Sequence, residues 1–442
     1  MLSRRFFSSS RSVAKSVVTK LPNGLTVASK PGAQSTSSIG LYLNSGSRSE
    51  DPFNSGVSTL VGNVVTASKT AREAYALSGV EVGSSNAKEV TGLAVTSFAK
   101  GNSKEAFKAI KALVSGLESS VSDASFVKQK AQEASAFAEA FENQHKSMVI
   151  EHMISTAFQG TSLALPTYGK ADTLATLESS DLKAFLGKQF VASNLAVVAV
   201  GDVDHEELVK FATELPVSAG AKPAVEPYHF LGSDARLRDD TLPTAHVAIS
   251  AKGPAVSSPE YYAGLVASQI NGFYQHSGLY SQFSGSQLAQ FFNENPMCDE
   301  FDHFSLGFSD VSLWGAYLET EHIEYLDEVV HFTLKNWNRF SSGTFTETEL
   351  EQGKAALKLK LLASDSTPAV EAEKLASRSF LHGFEESEGE IIKSVDEVSH
   401  KSVVQWAQKY LYDQDIAVSG TGQIEALFDY NRLRNDMSMM RW

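Results

Sequence analysis

Ser55-Gly56-Val57-Ser58-Thr59-Leu60-Val61-Gly62-Asn63-Val64-Val65 reads as the opening of a helix. Ahead of it, apolar residues recur at Ile39, Leu41 and Leu43, the period-two pattern of a strand. Between the two lies a turn-rich segment, Ser45 to Asn54, that ends in Asp51-Pro52-Phe53-Asn54. Strand, turn and helix follow one another within 27 residues, from Ile39 to Val65.

The chain around this unit has 442 residues, too many for one hydrophobic core, so two or more domains are expected. A net charge of -14 argues against a nucleic-acid-binding face, which would be basic. The single cysteine, Cys298, has no partner for an internal disulfide; it reads as a small buried apolar residue in a reducing compartment. Residues 1–15 hold four basic residues, five serines and no acid, and the first acid in the chain is Glu50. That is the composition of a mitochondrial presequence, with Arg5-Phe6-Phe7-Ser8 as a cleavage point. No apolar run approaches the roughly 20 residues of a membrane-spanning helix. The purest, Leu195 to Val200, has six.

Two halves can be laid over each other. His246 to Ser250 followed by Gly253-Pro254, Ser258-Pro259 and a helix through Tyr262, Leu265, Val266 and Ile270 repeats the first strand, turn and helix. Phe190 to Val203, closing on Gly201, parallels Leu411 to Ile424, closing on Gly422. Such long-period self-similarity implies a duplicated domain. Pro216 to Pro227, with three prolines and little periodicity, has linker composition. The expected division is 1–15 presequence, 16–215 first domain, 216–230 linker and 231–442 second domain. Phe107, Ile110, Val114 and Leu117 form a core-facing helical stripe, as do Leu326, Val329, Val330 and Leu334 with Trp337. Val127 to Glu142 reads as a surface helix, and Thr346-x-x-Glu349 as a capping box opening the helix of Leu350, Leu357 and Leu361. Strands alternating with helix pairs predict an α+β fold, a mainly antiparallel sheet with helices on one face, used twice.

The strand, turn and glycine-led helix resemble the site of the pitrilysin-type zinc peptidases. There the helix carries H-x-x-E-H, two histidines that bind zinc and a glutamate that polarises the metal-bound water. The matching positions here are Thr59, Gly62 and Asn63, so the resemblance implies a kept scaffold with its chemistry gone. A further glutamate completes the family's site; Glu133, Glu139 and Glu142 lie in the corresponding helix, with the register open. A second-half tyrosine of the active relatives corresponds to Phe308, which has no hydroxyl. Gln269 to Gly278 lacks the polyglycine run of the family's substrate loop. His145 with His152, and His322 with His331, are spaced too widely for a local metal pair, and no phosphate loop or nucleophile elbow occurs.

Several segments carry a narrower resemblance, to the larger core subunits of respiratory complex III of the yeast type. They are Leu231 to Pro243, Leu313-Trp314-Gly315, His331 to Arg339, Asp413 to Val418, Gly420 to Ile424 and Asp436 to Trp442. This resemblance implies a non-catalytic scaffold on the matrix side of the mitochondrial inner membrane, peripheral to it. The implied partners are the second core subunit, cytochrome b, cytochrome c1, the Rieske protein and the small subunits, within a dimeric complex. It also implies no cofactor, no metal and no redox centre in this chain, in keeping with the absence of cysteine clusters. The competing expectation is a zinc-dependent β subunit of the mitochondrial processing peptidase. The terminal Met439-Met440-Arg441-Trp442 reads as a docking tail.

Overall fold

The structure is a computed structural model that describes residues 16–438 apart from 33–35, 99–102, 279–282, 284, 364–366 and 382–387. The expected presequence and the terminal tail lie outside the described residues.

The strands of the first half are β1 (Val17–Lys20), β2 (Thr26–Pro31), β3 (Thr36–Leu43), β4 (Glu81–Asn86), β5 (Thr91–Phe98) and β6 (Leu195–Gly201). Those of the second are β7 (Ser233–Arg238), β8 (Ala245–Gly253), β9 (Phe273–Gln275), β10 (Glu300–Gly307), β11 (Ser312–Thr320) and β12 (Ile416–Gly422). Each half forms one six-stranded sheet, in the orders β1-β2-β6-β3-β5-β4 and β7-β12-β8-β11-β10-β9. All pairings are antiparallel except β2 with β6 and β7 with β12, so five strands of each sheet, β2-β6-β3-β5-β4 and β7-β12-β8-β11-β10, share one order that includes the single parallel pair, while β1 and β9 are added at opposite edges. The predicted α+β architecture is the one observed.

The local signals hold. Gly201 and Gly422, the two glycine stops, both have positive φ, 117° and 93°. A Cβ on either would meet the backbone carbonyl leading into the neighbouring strand, Thr36 O at 2.9 Å or Thr244 O at 2.2 Å, so only glycine fits. Thr346 and Glu349 form the capping box: Glu349 N–H donates to Thr346 Oγ1 at 3.2 Å and Thr346 N–H to Glu349 Oε2 at 2.7 Å. Trp337 is fully buried in the stripe of Leu326, Val329, Val330 and Leu334.

One expectation needs refining. The sheets are covered on both faces, not one. The inner face of the first sheet packs on helices Val57–Thr66, Ser103–Ser122, Ala124–Phe141 and Ser179–Gln189 through Ile39, Leu41, Leu60, Val64, Ile110 and Leu113. Its other face, bearing Ala28, Tyr42, Val198 and Val200, is covered by Ala372 and Ala376 of helix Pro368–Leu381, from the second half. In return, Val149, Met153, Ile154 and Ala157 of helix His145–Ala157, from the first half, cover Ala248, Leu313, Tyr317 and Ala417 on the second sheet. The halves thus exchange one helix each. This is why β3 is buried along nearly its whole length although its sequence alternates. The segment between the halves is pinned as well: Leu231 N–H donates to Ala157 O at 2.8 Å, and Tyr228 and Phe230 pack edge-on against Phe158.

Candidate functional site

Helix Val57–Thr66 starts against the first sheet with a demanding N-terminus. Gly56 is left-handed (φ 95°) and lies back to back with Gly169 (φ 82°); a Cβ on Gly169 would sit 2.4 Å from Gly56 Cα. The orphan amides of the first turn are met by Glu50, whose carboxylate is 2 % exposed. Gly56 N–H donates to Oε2 at 2.6 Å, Ser58 N–H to Oε1 at 2.8 Å and Ser58 Oγ–H to Oε1 at 2.5 Å. Burial pushes the Glu50 pKa up to about 7, against these hydrogen bonds and the Lys88 charge, which pull it down. A residue from the turn therefore caps the helix, six positions before its first glycine.

One turn further along, Thr59 is absorbed into a closed polar cluster. Its Oγ1 accepts from Asn86 Nδ2 at 2.6 Å, and its hydroxyl faces Thr167 O at 3.4 Å. Asn86 Nδ2 also donates to Thr167 O at 2.8 Å, and Asn86 Oδ1 accepts from Thr91 Oγ1 at 2.8 Å. Thr167 Oγ1 in turn donates to Glu151 Oε1 at 2.6 Å, and Lys88 Nζ donates to Glu151 Oε2 at 2.7 Å and to Leu165 O at 2.6 Å. Gly62 faces Ser84 of the edge strand, with space for little more than a hydrogen: a Cβ would approach Ser84 Cβ to 3.1 Å. Asn63 is half-buried on the same helix. Hydroxyl, hydrogen and amide offer none of the imidazole or carboxylate donors a zinc site takes. Among the described residues no three His, Cys, Asp or Glu side chains are grouped to hold a metal. This set does not fit zinc.

The three candidate glutamates part ways. Glu133 lies on the outer face, bonded to Gln129 and Lys130 at 2.9 and 2.5 Å. Glu139 and Glu142 line a cleft of about 590 Å³ between helices Ala124–Phe141 and His145–Ala157, joined by Glu151, Asp172 and the ring of Tyr168. His152 enters the same cleft, where burial lowers its pKa. Its spacing partner His145 instead stacks on His246 of the second half at 5.2 Å, and His331 bonds Asp436 at 3.0 Å. Phe308 is buried at the seam, edge-on to Phe158 at 5.9 Å. It lies in the same aromatic cluster as Tyr228 and Phe230, and none of its described hydrogen bonds or ring contacts is to the site helix.

Sequence reasoning missed the residue that ties the halves together at this point. Arg48, its side chain 2 % exposed, donates to Glu89 Oε1 at 2.7 Å and forks onto Asp310 at 2.8 and 2.6 Å. It also reaches Glu226 O in the segment between the halves at 3.0 Å. Ser309 completes the lock by donating its N–H and its hydroxyl to Glu89 at 2.9 and 2.6 Å. A buried arginine in a Ser-Arg-Ser turn carries no local signal; only its distant partners define it.

Comparison with known proteins bears on this geometry. Residues 26–171 match the insulinase (peptidase M16) family model, and residues 176–357 match the model described as the peptidase M16 inactive domain. The chain is 37% identical to the mitochondrial cytochrome b-c1 complex subunit 1 of Saccharomyces cerevisiae, over 99% of this chain and 97% of that one. It is 34% identical to the mitochondrial-processing peptidase subunit beta of Neurospora crassa, over 96% and 91%. Among solved structures, a chain of complex III2 from Candida albicans with Inz-5 bound superposes with a TM-score of 0.90 at 35% identity, covering 95% of this chain and 99% of that chain. The chain belongs to the M16 peptidase family and, within it, is of the cytochrome b-c1 complex subunit 1 kind.

Proposed function

We propose that the chain is a structural and assembly subunit of the mitochondrial cytochrome b-c1 complex, peripheral on the matrix side of the inner membrane, and that it performs no peptide hydrolysis. It supports electron transfer from ubiquinol to cytochrome c without a redox centre of its own. Its partners are the second core subunit, cytochrome b, cytochrome c1, the Rieske protein and the small subunits of a dimeric complex. The domain division at 216–230 belongs to the same reading.

The observation that carries it is the state of the site helix. The resemblance matches positions 59, 62 and 63 to the H-x-x-E-H of the peptidases, and here Thr59 is committed to Asn86 and Thr167. Hydrolysis by this family needs a metal-bound water and a base beside it. Neither can be assembled from a hydroxyl already bonded, a glycine and an amide. Full-length similarity to a b-c1 subunit supports the assembly role, and no helix among the described residues is long and apolar enough to cross a membrane.

Mild detergent extraction followed by a native gel tests the assembly role: the chain should migrate with cytochromes b and c1. Metal analysis and a presequence-cleavage assay on the purified protein test the rest. Stoichiometric zinc with chelator-sensitive cleavage would overturn the non-catalytic reading and favour the processing-peptidase β subunit.

A second reading, binding of a basic peptide without cleavage, is favoured by one feature, the cleft lined by Glu139, Glu142, Glu151 and Asp172. Salt-sensitive binding of an arginine-rich peptide that weakens in Glu139→Gln/Glu142→Gln would support it; no saturable binding would remove it.

A further inference from the structure

The exchanged helices each line a cleft, and they present the same helix positions to it. Helix His145–Ala157 contributes Met148, Glu151, His152, Ser155 and Thr156 to the first. Helix Pro368–Leu381 contributes Val370, Glu373, Lys374, Ser377 and Arg378 to the second, in the same i, i+3, i+4, i+7, i+8 places. Duplication has thus placed the same helix positions in both clefts, and their side chains have diverged.

The first cleft is acidic, with Glu139 and Glu142 on the helix before and Asp172 opposite. In the second, Leu361 stands at the matching place at the end of the preceding helix, and Val256, Leu265 and Ile391 complete an apolar wall around about 450 Å³. Its cations are Lys374 and Arg378, neighbours one helical turn apart on the side facing that wall. Its one carboxylate among the described lining residues, Glu373, bonds Ser85 of the first half and interacts with the charge of Lys374 beside it, which is itself partnered. Arg378 is half-buried and makes no hydrogen bond or ion pair among the described residues. A guanidinium partly removed from water beside an apolar wall, with no carboxylate bonded to it among the described residues, is an incomplete pairing. The volume falls within the roughly 300–1,000 Å³ of small-molecule sites.

We propose that this second cleft binds a single-chain anionic amphiphile, a long-chain carboxylate. Its hydrocarbon lies along Val256, Leu265, Leu361 and Ile391, and its carboxylate is held by Arg378 with Lys374 beside it. The acidic counterpart cleft repels the same ligand. This site is independent of the assembly role.

Parinaric acid, a fluorescent polyene carboxylate, titrated into the full-length chain at low ionic strength tests the site. Saturable fluorescence enhancement is expected, weakened about tenfold or more in Lys374→Gln/Arg378→Gln, the loss of charge-assisted hydrogen bonds. Leu361→Glu, which brings the acidity of the first cleft into the second, should weaken it comparably, while Glu139→Gln should leave it unchanged. The methyl ester of the same chain should compete at least about tenfold less well for the unaltered protein. Far-UV circular dichroism and urea midpoints establish that each variant is folded, and the ester comparison decides the matter if one is not. No saturable uptake, equal competition by acid and ester, or equal affinity in the folded double glutamine variant would each overturn the proposal.

Discussion

Arg48→Ala should be among the most damaging single substitutions in the chain. The guanidinium is nearly inaccessible and pairs directly with both Glu89 and Asp310. Deleting it leaves two carboxylates facing each other, removes a donor to Glu226 O, and frees the Ser309–Asp310 loop from the first half. Breaking one buried pair by removing one partner costs about 3–5 kcal/mol. Asp310 is 36% exposed, so its share is screened, and the lower end, about 3 kcal/mol, is the figure to expect. Asp310→Ala should cost less, about 1 kcal/mol, because Arg48 keeps Glu89 and the Glu226 carbonyl. Urea unfolding followed by tryptophan fluorescence measures both: all four tryptophans lie in the second half, so a midpoint that falls on mutating Arg48 reports coupling across the seam. A loss under about 1 kcal/mol for Arg48→Ala, or equal losses for the two variants, would refute the view that this arginine locks the halves.

Three further outcomes follow from the same packing. Glu50 titrates at about 7 when folded against an ordinary 4.5, so its contribution is fully present below about pH 4.5 and is lost as pH rises toward 7, roughly 3 kcal/mol by linkage. Glu50→Gln should flatten that slope in urea midpoints taken across the window; an unchanged slope would contradict the burial argument. Gly169→Ala combines a left-handed backbone with a Cβ 2.4 Å from Gly56 Cα and should cost at least about 2 kcal/mol by thermal denaturation, whereas Gly79→Ala, with nothing within 4 Å, should cost only its αL strain of about 1 kcal/mol. Met153→Ala, fully buried where the exchanged helix meets the second sheet, should lose about 2–5 kcal/mol in chemical denaturation; a loss like that of a surface site would mean the helix is not docked.

Much of this molecule is legible without coordinates because its signals are local. The periodicity of Leu326 to Trp337, the capping box at Thr346 and the paired glycine stops at Gly201 and Gly422 each act over a few residues, where propensity and sterics decide. Repetition of those signals in both halves was enough to infer a duplicated α+β fold. Burial that depends on distant chain leaves no such local signal. Alternation in Ile39, Leu41 and Leu43 implied one buried face, yet Tyr42 on the other face is 1 % exposed because helix Pro368–Leu381 lies over it.

The chemistry divides along the same line. That Thr59, Gly62 and Asn63 carry no imidazole or carboxylate is a property of residue type and holds in any fold. Whether neighbouring groups could take over is a question of distance, and tertiary structure answers it. It commits Thr59 to Asn86, turns Glu133 outward, sends His145 to the opposite half and stacks it there on His246. The exchange of helices, the Arg48 lock and the opposed character of the two clefts likewise join residues many tens to hundreds of positions apart. Contacts of that range leave no period in the chain, so only the folded packing determines them.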